Sequence, residues 1–576
     1  MTSIFRDPAG FAEDQLTGFT ALYADRLRQV PGGVVSHLTD RPQVGVVVGG
    51  GSGHYPAFAG TVGPGLATGA VVGNIFTSPS TAQAYSVARA ADQGEGIIFS
   101  FGNYAGDNMN FGLAADRLRK EGIDTRIVVV TDDIASADEP EKRRGIAGDF
   151  SVFKVLGAAA AEGMSLEDVE RVGQAANANT RTLGVAFSGC TMPGATEPLF
   201  TVPDGHLGLG LGIHGEPGIR DVAMLPADEL AALLVDDLLR STPDGAGSRV
   251  APILNGLGTT KYEELFLLWS LISKRLQDNG LELVEPEVGE LVTSLDMGGC
   301  SLTLMWLDEE LERLWRADAY TPAYRKVRSG VDQLHAPSDA DESAASIEMP
   351  APDATDAARQ LGVRLRKALG VMQRTLTEHE DELARIDAVA GDGDHGRGMV
   401  KGCTAATRAV ERAPAESGVG HLFSRAGQAW AEQAGGTSGV LWGSGLEAFG
   451  DALTDSRESY TAADIAAGVR AFTDAVRDLG HAELGDKTML DALIPFSEQL
   501  SARVEDGLPI AWTAAAERAR RAADGTATLR PRVGRARPLA EKSIGHPDAG
   551  ATSLALIVTA LGAWLPETTN PKEGDK

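Results

Sequence analysis

Short apolar runs alternate with polar, glycine-containing loops in the first quarter of the chain. The apolar runs cover residues 44–48, 96–100 and 127–130. Helix-like stretches at 81–91 and 111–121 lie between them, which predicts a parallel β-sheet with helices on both faces. In such sheets, ligands bind at the carboxyl ends of the strands. His54 and Asp107 each follow one of these runs, so we expect both side chains to face one pocket.

Two further stretches carry a recognisable apolar spacing. Residues 15–30 place Phe19, Leu22 and Leu27 at helical spacing, which predicts a single helix. Residues 292–305 predict a strand–turn–strand element within a region of short strands and turns.

The composition changes near residue 336. Residues 336–353 contain mostly Ser, Ala, Pro and acidic residues with little to bury, which indicates an interdomain linker. After the linker the pattern is mostly helical. The chain is therefore predicted to have an α/β domain at 1–335, a linker at 336–355 and an all-α domain at 356–576.

His214 lies in the glycine-rich stretch 209–218. Glycine allows backbone angles that other residues resist, and it lets a ligand approach the main chain. An imidazole held on such a loop is suited to nucleophilic attack on an electrophile. A tight turn in which His214 makes only a structural hydrogen bond is the alternative.

Three carboxylates, Asp387, Asp392 and Asp394, lie within eight residues and have glycines between them. They repel each other unless a cation neutralises them, and hard oxygen ligands suit Mg²⁺ or Ca²⁺. A solvated acidic turn is the alternative.

The stretch Gly-Gly-Thr-Ser-Gly at 435–439 precedes a helix-like run. Free N–H groups at a helix start, together with two hydroxyls, favour phosphate binding, although a plain helix–helix loop has the same pattern. The sequence contains no Gly-Lys dipeptide, which excludes the common P-loop. Phosphate charge would then be met by metal ions, backbone amides and an arginine, for which Arg535 is a candidate.

The net charge of -28 argues against a nucleic-acid surface, which needs clustered Lys and Arg. The three cysteines are far apart, so they predict neither disulfides nor a zinc site, and they fit a reducing cytoplasm. The N-terminus lacks the pattern of a signal peptide, and no apolar run is long enough to span a bilayer. We therefore expect a cytoplasmic protein without nucleic-acid or membrane partners.

Seven motifs, taken together and in order, resemble those of the single-chain, ATP-dependent dihydroxyacetone kinases. They are GGGSGH at 49–54, NYAGD at 103–107, GLGIHGEPG at 210–218, DxxxGDGDHG at 387–396, GGTSG at 435–439, GDKTM at 485–489 and SIGHPDxG at 543–550. The resemblance covers nearly the whole chain. It implies an N-terminal α/β domain that binds a small ketose, a C-terminal barrel of helices that binds ATP, and a homodimer.

The resemblance also implies roles for individual residues. In the family, the histidine that matches His214 attacks the ketone carbonyl and holds the substrate as a hemiaminal. The residues that match His54 and Asp107 bind and deprotonate the hydroxyl that attacks the γ-phosphate. The implied substrate-binding positions are Gly51, Ser52, Gly53, His54, Asp107 and His214. The implied ligands of two Mg²⁺ ions are Asp387, Asp392 and Asp394. The implied nucleotide-binding positions are His395, Gly396, Arg397, Gly398, Thr437, Ser438, Gly480, Met489, Arg535, Asp548, Ala549 and Gly550.

Two positions depart from the dihydroxyacetone-specific members. Those members carry a lysine where this chain has Gly102, and usually a glutamate where it has Tyr55. We expect Gly102 to leave more room at the end of its strand, which favours a larger ketose such as erythrulose. The leading interpretation is an ATP-dependent ketose kinase. The alternatives are a non-catalytic ketose-binding regulator and a lyase that cleaves FAD to a cyclic phosphate.

Overall fold

The structure is a computed structural model that describes residues 2, 4–37, 41–327, 352–533 and 537–565. The chain forms two compact units, Met1–Ala336 and Pro337–Lys576. Most of the predicted linker, up to residue 351, and the candidate Arg535 lie outside the described residues. The placement of the domain boundaries at 335 and 356 therefore stays a prediction.

The first unit contains both sheets and helices. Its strands are β1 (Leu27–Val30), β2 (Gly33–Ser36), β3 (Gly45–Ser52), β4 (Gly69–Ile75), β5 (Ile97–Gly102), β6 (Thr125–Val130), β7 (Thr180–Ser188), β8 (His206–Leu209), β9 (Arg220–Ala223), β10 (Arg249–Gly256), β11 (Glu282–Leu283), β12 (Glu287–Gly289), β13 (Gly298–Trp306), β14 (Ala319–Tyr320) and β15 (Arg325–Lys326). Its α-helices are α1 (Phe11–Leu22), α2 (Thr81–Ala91), α3 (Ala105–Lys120), α4 (Gly148–Ala161), α5 (Leu166–Ala178), α6 (Ala227–Arg240), α7 (Tyr262–Asp278) and α8 (Glu309–Arg316).

The first sheet has the strand order β1-β2-β4-β3-β5-β6. The strands β3, β4, β5 and β6 are parallel, as the sequence predicts, whereas β1 and β2 pair antiparallel. The two residues between β1 and β2, Pro31 and Gly32, explain the difference, because so short a connection can join only antiparallel strands. Every residue of β3 is buried, which agrees with a strand covered on both faces.

The second sheet has the order β11-β10-β13-β7-β8-β9, with β12 also paired to β10. The pairs β10–β13, β13–β7, β7–β8 and β8–β9 are antiparallel, so this sheet differs from the parallel sheet that the first quarter of the chain predicts. The correct description of the first unit is an α/β fold with mixed sheets. The predicted strand–turn–strand element at 292–305 is wrong, because a loop occupies residues 290–297 and only β13 forms a strand.

The predicted helix at 15–30 is shorter than expected and starts earlier. The helix α1 ends at Leu22, and residues 27–30 form β1 instead. Leu27 is buried because its side chain packs into the hydrophobic core from β1, and it does not continue the apolar face of α1. Strand pairing here overrides the local helical spacing.

The described part of the second unit is helical, which confirms the predicted all-α fold. Its α-helices are α9 (Asp356–Glu378), α10 (Glu380–Asp387), α11 (His395–Arg412), α12 (Val419–Ala434), α13 (Gly436–Leu453), α14 (Ala462–Gly480), α15 (Leu490–Ala502), α16 (Leu508–Gly525), α17 (Ala540–Ser543) and α18 (Ala549–Trp564). Trp430 of α12 stacks on Trp442 of α13 at a centroid distance of 5.1 Å, and both rings lie in the core. Within the described ranges of the chain, no helix is both long and apolar enough to cross a membrane.

Candidate functional site

His54 and His214 are in contact in the first unit, although 160 residues separate them. His54 follows β3, and its Nε2 lies 3.0 Å from Nε2 of His214. Its Nδ1 lies 2.7 Å from the carbonyl oxygen of Thr293, which can only accept, so we place a proton on Nδ1. Burial lowers the pKa of His54 to about 3, so its ring is neutral and its Nε2 is an acceptor.

Glu216 fixes the orientation of His214. Its Oε1 accepts from Nδ1 of His214 at 2.9 Å, and its Oε2 accepts from the backbone N–H of the same residue at 3.0 Å. Burial raises the pKa of Glu216, but the hydrogen bonds and positive charge of His214 outweigh it and lower the pKa to about 2. With Nδ1 of each ring donating elsewhere, the contact between the two Nε2 atoms requires one shared proton.

A salt bridge holds the loop that carries His214. Arg144 donates from Nε to Asp133 at 2.9 Å and from Nη2 to the carbonyl oxygen of Gly210 at 3.2 Å. Its Nη1 lies 3.9 Å from Glu216. Arg144 therefore connects the edge of the first sheet to the start of the His214 loop, in a largely buried position.

Aromatic rings enclose the two histidines. Phe76 stacks on His54 at a centroid distance of 5.1 Å and meets His214 edge-on at the same distance. Tyr104 meets His214 edge-on at 4.9 Å. Apolar walls exclude water from the imidazole pair and strengthen the electrostatic interactions inside.

Asp107 lies in the first turn of α3 and accepts a hydrogen bond from Ser78 Oγ at 2.8 Å. Burial raises the pKa of Asp107, while the bond from Ser78 and the charge of His214 oppose this effect. The influence of His214 shows that the two side chains are neighbours. That His54 and Asp107 face one pocket stays a prediction.

The glycines before His54 permit close packing of the chain. A Cβ at Gly51 would lie 2.6 Å from the backbone nitrogen of Thr77, which leaves no room for a side chain. Ser52 donates to the carbonyl oxygen of Gly73 and is buried. Gly51, Ser52 and Gly53 also line a cavity of about 320 Å³ whose walls do not include the two histidines.

The two positions that depart from the family pattern do not behave as expected. A Cβ at Gly102 would meet the carbonyl oxygen of Gly145 at 3.0 Å and the ring of Tyr104 at 3.1 Å. The expectation of extra room at Gly102 is therefore wrong, because the Tyr104 ring fills it. Tyr55 lines the separate cavity of about 320 Å³ and packs edge-on against Phe19 at a centroid distance of 6.1 Å.

In the second unit, the three predicted carboxylates converge. Asp387 ends α10, and Asp392 and Asp394 lie in the loop before α11, with one oxygen from each within 4.8 Å of the others. Asp387 Oδ2 accepts from the backbone N–H of Gly393 at 2.8 Å, and Gly393 has a φ of 77° that favours glycine. Three hard oxygen donors at this spacing fit a divalent cation such as Mg²⁺.

These carboxylates border a cavity of about 340 Å³. The predicted nucleotide positions that line it are His395, Gly398, Thr437, Ser438, Gly480, Met489, Asp548, Ala549 and Gly550. Gly396 and Arg397 are not among its lining residues: Gly396 is buried beside the carbonyl oxygen of Glu380, and Arg397 is exposed. The start of α13 at Gly436 directs backbone N–H groups of its first turn towards this cavity, a favourable arrangement for phosphate.

Sequence reasoning missed several residues of both sites. In the cavity, Lys487 donates from Nζ to the carbonyl oxygens of Ser543 at 2.7 Å and Leu529 at 3.2 Å. Ser553 contacts His395 Nε2 through its Oγ at 2.9 Å. Lys487 lies in the motif GDKTM, and Glu216 lies in the motif GLGIHGEPG. Membership of these motifs is the sequence signal that could have identified both residues.

The first unit contains two histidines in contact, and the second contains an acidic cavity with phosphate-binding features. Together these sites fit a two-domain kinase of a small carbonyl compound. The sequence matches two family descriptions, the Dak1 domain at residues 17–323 and the DAK2 domain at residues 389–563.

Individual relatives are similar to this chain over nearly its full length. The chain is 58% identical to a D-erythrulose kinase of Mycolicibacterium smegmatis, over 97% of this chain and 98% of that protein. It is 53% identical to an L-erythrulose kinase of Pectobacterium atrosepticum, over 99% and 97% of the two chains. The crystal structure of the dihydroxyacetone kinase from C. freundii with AMP-PNP and Mg²⁺ is similar, with 29% identity, a TM-score of 0.58 and coverage of 98% and 99%. The chain belongs to the single-chain, ATP-dependent dihydroxyacetone kinase family, which confirms the resemblance drawn from the seven motifs.

Proposed function

We propose that the protein transfers the γ-phosphate of ATP to a terminal hydroxyl of a short-chain ketose, which it holds as a hemiaminal on His214. The contact between Nε2 of His54 and Nε2 of His214 carries this proposal. It places a nucleophile and a proton-transfer partner side by side in a partly buried, aromatic pocket. Since only a carbonyl compound can form the adduct, ketoses are selected over polyols such as glycerol.

The imidazole pair provides both partners for adduct formation. Nε2 of His214 first passes its proton to Nε2 of His54 and then bonds to the carbonyl carbon as the π bond of the carbonyl group opens. His54 gives that proton to the carbonyl oxygen, which becomes a hydroxyl. Glu216 keeps Nδ1 of His214 protonated and so leaves the Nε2 lone pair for the attack. Phe76 and Tyr104 restrict the rotation of the ring.

Asp107 then acts as the base for phosphoryl transfer. Its carboxylate accepts the proton of the substrate hydroxyl, and that oxygen bonds to the γ-phosphorus as ADP leaves. The raised pKa of Asp107 makes its carboxylate a stronger base than an exposed aspartate.

The cavity of the second unit provides the nucleotide site in this proposal. The N–H groups at the start of α13, with Thr437 and Ser438, are placed to hold phosphate oxygens. Asp387, Asp392 and Asp394 would hold Mg²⁺, and by the family resemblance two ions. When bound, Mg²⁺ would neutralise the negative charge of the ATP phosphates. The sequence contains no P-loop lysine that could do so.

We propose erythrulose as the preferred ketose. The two relatives reported above carry the names D-erythrulose kinase and L-erythrulose kinase, at 58% and 53% identity over nearly their full lengths. Their opposite handedness leaves both enantiomers as substrates to be compared. Dihydroxyacetone is the three-carbon competitor.

The first test is an ADP-release assay with dihydroxyacetone, D-erythrulose, L-erythrulose, glyceraldehyde and glycerol. We expect turnover with the ketoses, the highest kcat/KM with one erythrulose enantiomer, and none with glycerol. A separate arm with Mn²⁺ and FAD measures the lyase alternative. Absence of phosphorylation on every ketose would contradict the proposal.

The second test addresses the covalent step. Native mass spectrometry of the protein with erythrulose should show an added mass of one ketose, and His214→Ala should lose it. A ketose-bound crystal structure without density that joins the carbonyl carbon to His214 would overturn the covalent role.

The resemblance also implies a homodimer, which sedimentation can measure. If one protomer's nucleotide unit serves the partner's ketose site, a mixture of inactive His214→Ala and Asp392→Asn chains should regain activity after subunit exchange. Activity that never returns in mixed dimers would limit transfer to sites within one chain.

A further inference from the structure

Two buried polar groups, one of them on a ring that contacts His214, lack a hydrogen-bond partner in the described part of the chain. They are the hydroxyl of Tyr104 and Oδ1 of Asp149. Buried polar groups nearly always have a partner, since water is not there to replace one. A pair of such groups beside a binding site is explained if a ligand supplies the missing hydrogen bonds.

The Tyr104 ring contacts His214 directly, and the segment that passes this ring leads to Asp149. The Tyr104 ring meets His214 edge-on and fills the space at Gly102, where the carbonyl oxygen of Gly145 lies 3.0 Å from a Cβ position. From Gly145 the chain leads into α4, and Asp149 is in the first turn of that helix.

Electrostatic interactions show the same proximity. The carboxyl group of Asp149 acts on the phenol of Tyr104 and is itself acted on by Asp107. Asp149 therefore interacts electrostatically with both Tyr104 and the proposed base, Asp107. No sequence motif marks it.

The chemistry of the two groups suits a sugar hydroxyl. Asp149 is 3% exposed, and burial, together with the negative charges of Asp132 and Asp107, raises its pKa well above the ordinary range. The carboxyl group of Asp149 accepts hydrogen bonds, and the phenol of Tyr104 donates one and can accept others. A hydroxyl group needs a donor and an acceptor, and this pair supplies both.

We infer that Asp149 is a specificity-determining residue of the ketose site, and that with Tyr104 it hydrogen-bonds the extra hydroxyl of a ketose longer than dihydroxyacetone. This inference rests on the proposed ketose kinase function. Dihydroxyacetone lacks that hydroxyl and leaves both polar groups unpaired, so the site discriminates against it.

The test compares kcat/KM for the better erythrulose enantiomer with kcat/KM for dihydroxyacetone. Asp149→Leu removes the polar group at similar volume, and the erythrulose-to-dihydroxyacetone ratio should fall about ten- to a hundredfold. Asp149→Asn retains a donor and an acceptor and should keep the ratio within about threefold of the wild type. The loss should appear mainly in KM for erythrulose, because the contact is made in the ground state as well.

Ser151→Ala is the matched control. Ser151 is in the same helix, is fully buried, and its hydroxyl likewise has no partner among the described residues. Because Ser151 comes two residues after Asp149, the two side chains leave α4 in different directions. The erythrulose-to-dihydroxyacetone ratio should therefore not change in Ser151→Ala.

A stability measurement separates a binding role from a structural one. If Asp149 serves substrate binding and not the stability of the fold, Asp149→Leu should raise the melting temperature of the ligand-free protein, because an unpaired buried acid is removed. Should Asp149→Leu fail to fold, Tyr104→Phe tests the same hydroxyl contact and should also lower the ratio.

An unchanged ratio in both Asp149→Leu and Tyr104→Phe, with the wild type active, would overturn this inference and leave the kinase function intact. An equal loss with both ketoses would overturn it as well. A wild type that phosphorylates none of the ketoses would instead overturn the proposed function on which it rests.

Discussion

Replacement of Glu216 by glutamine tests whether the orientation of His214 drives the reaction. Glu216 accepts two hydrogen bonds from His214, at 2.9 Å from Nδ1 and at 3.0 Å from the backbone N–H. Glutamine has the same shape but no charge, and its amide nitrogen cannot accept.

The energies of these two hydrogen bonds set the expected loss of activity in Glu216→Gln. A hydrogen bond to a charged group contributes about 1.5–3 kcal/mol, and a neutral one about 0.5–1.5 kcal/mol. Loss of the charge at both hydrogen bonds should therefore weaken the stabilisation of the oriented His214 ring in the transition state by about 2–3 kcal/mol. This corresponds to a fall of about 30- to 150-fold in kcat/KM for the ketose.

The assay is steady-state ADP release over a series of ketose concentrations at saturating ATP. Glu197→Gln is a suitable control, because Glu197 is exposed and carries the same substitution. The adduct measured by mass spectrometry should diminish in parallel with kcat/KM in Glu216→Gln. A variant within twofold of the wild type, with the adduct undiminished, would refute the argument that Glu216 orients His214.

Four further predictions can each be tested by a separate measurement. Asp392→Asn should lower Mg²⁺-dependent activity at least about a hundredfold while the circular dichroism stays helical, and full activity would remove it from the metal ligands. Because burial raises the pKa of Asp107, kcat/KM should fall with decreasing pH at a pH above the ordinary aspartate range, and an acid limb at the ordinary value would contradict this. Lys487→Met leaves the carbonyl groups of Ser543 and Leu529 without this donor and should lower the free energy of unfolding by about 1–3 kcal/mol, measured by denaturant titration of the full chain. Residues 1–335 and 356–576, expressed separately, should each fold, and failure of either by circular dichroism would place the boundary elsewhere.

The elements that sequence pattern predicted well are those set by local chemistry. The helix at 81–91 is predicted with the bounds that the structure shows, and Ser80 and Gln83 form a capping box at its start. The buried apolar runs became β3, β5 and β6 because a fully covered strand has a characteristic composition. The convergence of Asp387, Asp392 and Asp394 was predictable because a short glycine-containing loop leaves them little freedom to separate.

Long-range pairing and loop convergence could not be predicted. The antiparallel second sheet depends on which distant strands meet, and the apolar pattern of each strand does not record its partner. Thr293 and Arg144 reach the ketose site from other loops, and neither stands in a distinctive motif. The extra room expected at Gly102 was wrong because a glycine shows where a side chain is missing, but not which neighbour fills the space.

The contact between His54 and His214 has a consequence for how the protein acquires its reactivity. His54, His214 and Thr293 meet although the first and last are 239 residues apart along the chain. Contacts of such high contact order form late, since long loops must close before them. A nascent or partly folded chain therefore carries three ordinary, unreactive residues, and a carbonyl trap arises only on completion of the whole first unit. If His214 captures the ketone as proposed, adduct formation will report that these three segments have assembled, which makes it a sensitive probe for refolding experiments and for damaged chains.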